Sequence, residues 1–177
     1  MKKIFKKLLV TLLLLFLIYY SSIVISLYNF HKGIYNKQKN FLEKYVNFTK
    51  LKKNLTFEIN NIIEQALKNN TSIDPATKLL AFTLSKSLNQ NFIKKYVNVN
   101  NLSSFLEQIN NDKIPKPNLL KTYLIIVKIN FVNLDNFFVN YENNGESIPI
   151  YFERNLFHWK LININLDYEK LKRVIKF

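Results

Sequence analysis

The chain has 177 residues, 48% of them hydrophobic, which suffices for one domain of ordinary size whose core folds without covalent staples. It contains no cysteine, excluding disulfides, thiolate metal sites, thiol nucleophiles and lipid attachment through cysteine. The formal net charge of +14 would ordinarily point to nucleic acid or an anionic membrane. However, only Arg154 and Arg173 are arginines, the residue that grips phosphate bidentately. The lysines are scattered among frequent Asn, Ile, Phe and Tyr, the mix that AT-rich codon usage produces, so nucleic acid is a disfavoured partner.

Lys2, Lys3, Lys6 and Lys7 precede residues 8–30, a run without a charged side chain. As a helix rising about 1.5 Å per residue this run extends about 35 Å, longer than a hydrocarbon core of roughly 30 Å. The expectation is a basic cytoplasmic tail, residues 1–7, and a single-pass membrane anchor, residues 8–30. A cleaved signal peptide is the competing reading, with residues 8–17 as its apolar region and Val24-Ile25-Ser26 as the cleavage site. The apolar run continues past that site to Phe30, which favours an uncleaved anchor. Four lysines ahead of the run favour a cytoplasmic amino terminus and an outward-facing domain, a bias diluted by Lys32, Lys37 and Lys39.

Residues 31–115 read as the helical half of that domain. Ile34, Phe41, Leu42 and Tyr45 fit one helical face, and a repeat begins there: FLEKYVNFTKLKKNL, residues 41–55, and FIKKYVNVNNLSSFL, residues 92–106, align without a gap. In V-N-x-x-x-L the Asn can accept a hydrogen bond from the first turn of a helix, while the preceding Val and the Leu four residues on have the spacing of a hydrophobic staple. Each copy therefore reads as the end of one helix, a corner and a capped second helix, with Asn47 and Asn98 as caps and Asn100 or Asn101 as alternatives in the second. Ile59, Ile62, Ile63, Ala66 and Leu67 continue the pattern, and Asp74-Pro75 is a helix start. Leu79, Leu80, Phe82, Leu84 and Leu88 follow with few charges, predicting a largely buried helix. Two prolines in NNDKIPKPN then close this half.

Residues 116–177 read as the sheet half. Alternation over residues 122–132 predicts a strand, and residues 137–141 and 148–153 a hairpin with Asn144-Gly145 at its tip. WKLININL supplies a fourth strand, and DYEKLKRVIKF closes as a short helix. The fold class is therefore α+β, with the helices covering one face of a four-stranded antiparallel meander.

No set of residues declares a chemistry. His31 and His158 each lack a second histidine at ligand spacing, the acids are dispersed, and Gly33 and Gly145 cannot make a glycine-rich phosphate loop. No catalytic, cofactor-binding or metal site is assigned, and no cofactor is implied. If the sheet is concave, Tyr123, Phe138, Tyr151 and Trp159 are the candidate pocket residues, with core packing as the competing role for Trp159.

The order of these features resembles an uncharacterised bacterial family, the domain-of-unknown-function family 2939, which carries a membrane segment, two corners and a strand pair ending in G-x-x-W-K-L. Here VNFTKLKKNL has Asn47, Thr49 and Lys52 where the family has Asp, Pro and Arg. VNVNNLSSFL lacks the family's proline and glutamate, and NLFHWKLININL lacks the glycine before Trp159. The resemblance implies a membrane-anchored bacterial envelope protein and brings no activity; with the lysine bias, the expected place is the inner membrane with the domain facing the periplasm. Helices ahead of a meander ending in W-K-L are also similar to NTF2-like domains, whose sheet often lines a pocket. The expected function is non-catalytic binding of an unknown protein or an apolar ligand. The alternative is an NTF2-like enzyme using an isolated carboxylate such as Glu153 or Asp135.

Overall fold

The computed structural model describes residues 2–110, 112–125, 128–143, 146–167 and 169–171. Helix α1 (Lys2–Tyr35) is one continuous helix of 34 residues, about 51 Å long. It is the one helix among the described residues that is long and apolar enough to cross a membrane. Residues 3–18 are exposed on all sides, whereas Ile23, Leu27, Phe30 and Ile34 recur at helical spacing and are buried in the domain. The run expected to be anchor is thus divided: its first part projects, and the rest is a core helix continuous with it.

Among the described residues, five helices carry the chain from α1 to the sheet. Helix α2 (Lys39–Tyr45) folds back on α1 at Gly33, where a Cβ would lie 2.9 Å from Phe41 Cβ, so close approach there requires glycine. Helix α3 (Phe48–Asn69) and helix α4 (Pro75–Tyr96) pair as a hairpin, α4 starting where Asp74 accepts from the N–H groups of Ala76 and Thr77. Contrary to the expected burial of α4, Leu79, Leu80, Leu84 and Leu88 are exposed, because only its second half, through Asn89 and Ile93, reaches the domain. Helix α5 (Leu102–Asn110) then inserts Leu102, Phe105 and Ile109 into the core.

Both copies of the repeat are corners, and they differ in detail. At the first, Asn47 Oδ1 accepts from Lys50 N at 3.1 Å, with Val46 and Leu51 buried on either side of the cap; such a cap contributes about 1 kcal/mol. The corner is also fixed to the sheet, since Asn47 N donates to Leu161 O. At the second, Asn98 Oδ1 accepts from Asn100 N and Asn101 N while its Nδ2 donates back to the carbonyls of Lys94 and Lys95. Asn98 thus closes α4 as well as the turn, and α5 begins only at Leu102.

The sheet is the expected four-stranded antiparallel meander in the order β1 (Ile129–Asn133), β2 (Asn136–Asn143), β3 (Glu146–Asn155), β4 (His158–Ile164). Phe137, Val139, Ile148, Ile150, Phe152, Trp159, Leu161 and Ile164 face the helices. The β2–β3 ladder runs to Asn143↔Glu146, and the expected Asn144-Gly145 tip lies outside the described residues. Lys170, in the short C-terminal helix seen over residues 169–171, donates from Nζ to Ser147 O.

The predicted strand over 122–132 is corrected. Residues Leu119–Ile125 form helix α6, and the strand starts at Ile129. Asn118 dictates this: its side chain accepts from Lys121 N and its carbonyl from Thr122 N, nucleating a helical turn. Thr122 is buried and Ile125, partly exposed, borders the same cavity, as helical spacing allows and strand alternation forbids.

Helix and sheet are locked together at Trp159. The backbone N–H of Trp159 donates to Ser26 Oγ at 2.9 Å and its indole Nε1–H to Ser22 Oγ at 3.1 Å, while both hydroxyls donate to carbonyls one turn back in α1. Ser26→Ala would strand a buried N–H without an acceptor and should destabilise the chain by about 1–3 kcal/mol. Ser21→Ala, on the exposed side of the same helix, should stay within about 0.5 kcal/mol of the parent. Trp159 is the single tryptophan, so denaturation followed by its fluorescence measures both.

Candidate functional site

The four residues singled out for a pocket occupy three different surfaces. Tyr123 lies on the exposed side of α6. Phe138 and Tyr151 are register partners on the outer face of the sheet, their rings 5.2 Å apart. Trp159 is fully buried on the inner face, in contact with Tyr19 and Phe137. The structure therefore pairs Phe138 with Tyr151 but does not bring the four together.

A cavity of about 130 Å³ lies on the opposite, inner face. It follows from the parity of the strands: Val139 and Tyr141 of β2 and Ile148, Ile150 and Phe152 of β3 alternate with the residues that face outward. Leu27, Phe30, His31 and Ile34 of α1 form the opposite wall, Leu106 and Ile109 of α5 one side, and Thr122 and Ile125 of α6 another. The alternation I-P-I-Y-F and F-V-x-Y is legible in the sequence, and the aromatic pair Phe138 and Tyr151 has the opposite parity, on the outer face. Thr122, Ile125 and His31 carried no such signal, because their inward direction depends on α6 being a helix and on where α1 lies.

Polar groups in this lining are few. His31 Nε2 lies 2.8 Å from Pro115 O; a carbonyl only accepts, so Nε2 carries the proton and Nδ1 is left as the acceptor of the neutral ring. Thr122 Oγ1 donates to Asn118 O at 2.9 Å. With Tyr141, these are the polar side chains in an otherwise apolar lining of aliphatic and aromatic groups.

The acids considered for catalysis lie elsewhere. Glu153 is held by Lys50 Nζ, 2.5 Å away, and Asp135 lies 3.9 Å from Arg154 in an exposed turn; such partly exposed pairs contribute at most about 1 kcal/mol. Among the described residues, no three His, Cys, Asp or Glu side chains converge on a common point. Glu58 on α3 is, among the described residues, the acid whose carboxyl is pushed up by partial burial, and it accepts from Asn163 Nδ2 at 2.7 Å and from Leu166 N at 3.2 Å. It ties α3 to the end of β4, outside the cavity.

Burial pushes the Glu58 carboxyl above the usual carboxylate range, against the opposing effect of its two hydrogen bonds. The folded chain therefore holds this proton to higher pH than the unfolded chain does. Its contribution to stability is fully present below the unfolded value, about 4.3, and declines as pH rises through the raised native value. Glu58→Gln should flatten the dependence of Tm on pH in that window, and a parent and variant with parallel Tm–pH curves would contradict the assignment.

Comparison of the chain with family models, with curated proteins and with solved structures yields no match.

Proposed function

We propose that this protein is a single-pass membrane-anchored binding module of a bacterial envelope, and that its domain holds a small apolar ligand in the cavity between α1 and the sheet. The cavity carries this reading: about 130 Å³ lined almost entirely by aliphatic and aromatic groups, near the size at which an apolar cavity takes up a benzene-sized ring. Described carboxylates stand outside the lining, which weighs against the NTF2-like enzyme with an isolated acid base. The position of Ser22, Ser26 and Ile23 in the domain core supports an uncleaved anchor. Removing residues up to the Val24-Ile25-Ser26 site would take away both acceptors of Trp159.

For the topology, the four lysines before the apolar run favour a cytoplasmic amino terminus at the inner membrane, with the domain in the periplasm. This arrangement agrees with the resemblance to the domain-of-unknown-function family 2939. A reporter enzyme active only outside the cytoplasm, fused after Phe177, should be active; a well-expressed, inactive fusion would reverse the orientation.

The binding reading is tested by linkage. With the full chain in lipid nanodiscs, saturating benzene should raise Tm by about 2–4 °C for each kcal/mol of binding free energy, followed through Trp159. Val139→Phe, which fills the cavity from β2, should lose that shift. No shift in the parent would remove the cavity as the site and leave the exposed Leu80, Leu84 and Leu88 of α4 as the surface for a protein partner.

A further inference from the structure

We infer that the domain does not stand clear of the bilayer on its anchor but sits partly immersed in it, through a collar formed by the β1–β2 and β3–β4 turns around α1. The inference rests on the reading of α1 as a membrane span and adds what that span requires of the domain.

Length is the first argument. Tyr19 already belongs to the domain, since its hydroxyl donates to Leu134 O at 2.9 Å. The exposed apolar stretch, residues 8–18, is therefore about 16 Å long, and about 22 Å when extended back to Ile4 past Lys6 and Lys7. A hydrocarbon core is roughly 30 Å thick. Tilting the helix shortens its reach further, and no loop separates anchor from domain to let the latter rise. The deficit, about 8–14 Å, must be met by thinning the bilayer or by sinking the base of the domain into it.

The base is built for the second. Leu134, at the β1–β2 turn, is 77% exposed, and Leu156 and Phe157, which form the β3–β4 turn, are 77% and 82% exposed. Both turns flank α1 where it leaves the domain: Leu134 through Tyr19, and Phe157 by sharing a groove with Leu14, Leu17 and Ile18. Leu156 has φ 55°, a conformation in which glycine or asparagine is the ordinary hairpin choice. This leucine, in left-handed backbone, keeps 77% of its surface exposed and so gains little from packing in the domain. Lipid is the surroundings in which Leu156 and Phe157 are both satisfied, and the apolar surface of α1 runs directly into theirs.

The polar side chains around the collar are arranged to match. Arg154 extends its guanidinium over the Tyr19 ring at 5.5 Å, donates from Nε to Leu156 O and faces Asp135 at 3.9 Å. Lys44 and His158 line the same groove as Phe157. An apolar tip below and a long cationic side chain above is the order of a membrane interface, where an arginine stem lies in the apolar zone and its head at the phosphates.

The absence of cysteine makes the test direct. The full chain, reconstituted in phosphatidylethanolamine and phosphatidylglycerol vesicles, is labelled with an environment-sensitive fluorophore at Leu134→Cys, Phe157→Cys, Leu13→Cys or Leu80→Cys, and quenched with iodide. Labels at 134 and 157 should be quenched several-fold less than the label at 80 on the exposed face of α4, and nearly as little as the label at 13. Quenching at 134 and 157 equal to that at 80, with 13 protected, overturns the immersion and leaves the span intact. A label at 13 as accessible as that at 80 overturns the span and the immersion with it.

Discussion

The two hydroxyls that receive Trp159 are the joint on which this architecture turns. A buried backbone N–H and a buried indole N–H each need an acceptor, and α1, a helix whose own carbonyls are occupied, can supply one only through side chains. Ser22 and Ser26, four residues apart, present both to the start of β4. The same helix therefore has two kinds of surface, mostly Leu, Ile, Val and Phe over residues 8–18 where it projects, and a narrow stripe of Ile23, Leu27, Phe30 and Ile34 where it meets the sheet. Because the two parts form one continuous helix, the direction in which its projecting part leaves the domain follows from the packing at Trp159 and not from a linker.

From that joint the remaining elements follow as ways of closing the sheet. Its inner face is covered by α1, and its β4 edge by the first corner, through Asn47 to Leu161 and Asn54 to Ile162. Ile162 has no register partner across β3, so the irregularity there leaves its carbonyl free to take the Asn54 amide. The second corner meets α1 instead, where Ser103 donates to Ile34 O at 2.8 Å. The repeated K-Y-V-N is thus one local solution used at two places, once against a strand edge and once against the end of α1. Its value is conformational, since neither Lys44–Asn47 nor Lys95–Asn98 lines the cavity. Between the corners the α3–α4 hairpin extends away from the sheet, leaving Leu80, Leu84 and Leu88 uncovered.

The cavity is a consequence of the same construction. Inward side chains of β2 and β3 are mostly Ile and Val, and α5 and α6 reach them with Leu106, Ile109, Thr122 and Ile125. The space left between is apolar, with His31 and Thr122 already engaged by carbonyls of the connecting segment. Such a site favours shape and apolar contact over chemistry, in keeping with acids that sit outside it in ion pairs or, for Glu58, in a buried brace between α3 and β4.

Local patterning determined the elements that depend on neighbours in the chain. The uncharged run of α1, the Asp74-Pro75 start of α4, the Asn47 cap with its Val46–Leu51 staple, and the alternation of β2 to β4 could all be read from residues a few positions apart. Around α6 the local pattern is ambiguous, because Tyr123, Ile125 and Ile129 satisfy period two as well and only the Asn118 cap separates helix from strand. Which strand face is inner, where α1 passes from its projecting part to the core, and that Tyr123, Phe138, Tyr151 and Trp159 belong to different surfaces were decided by the tertiary structure alone. Those properties are set by contacts more than a hundred residues apart, Ser26 to Trp159 and Tyr19 to Leu134, for which no local periodicity exists.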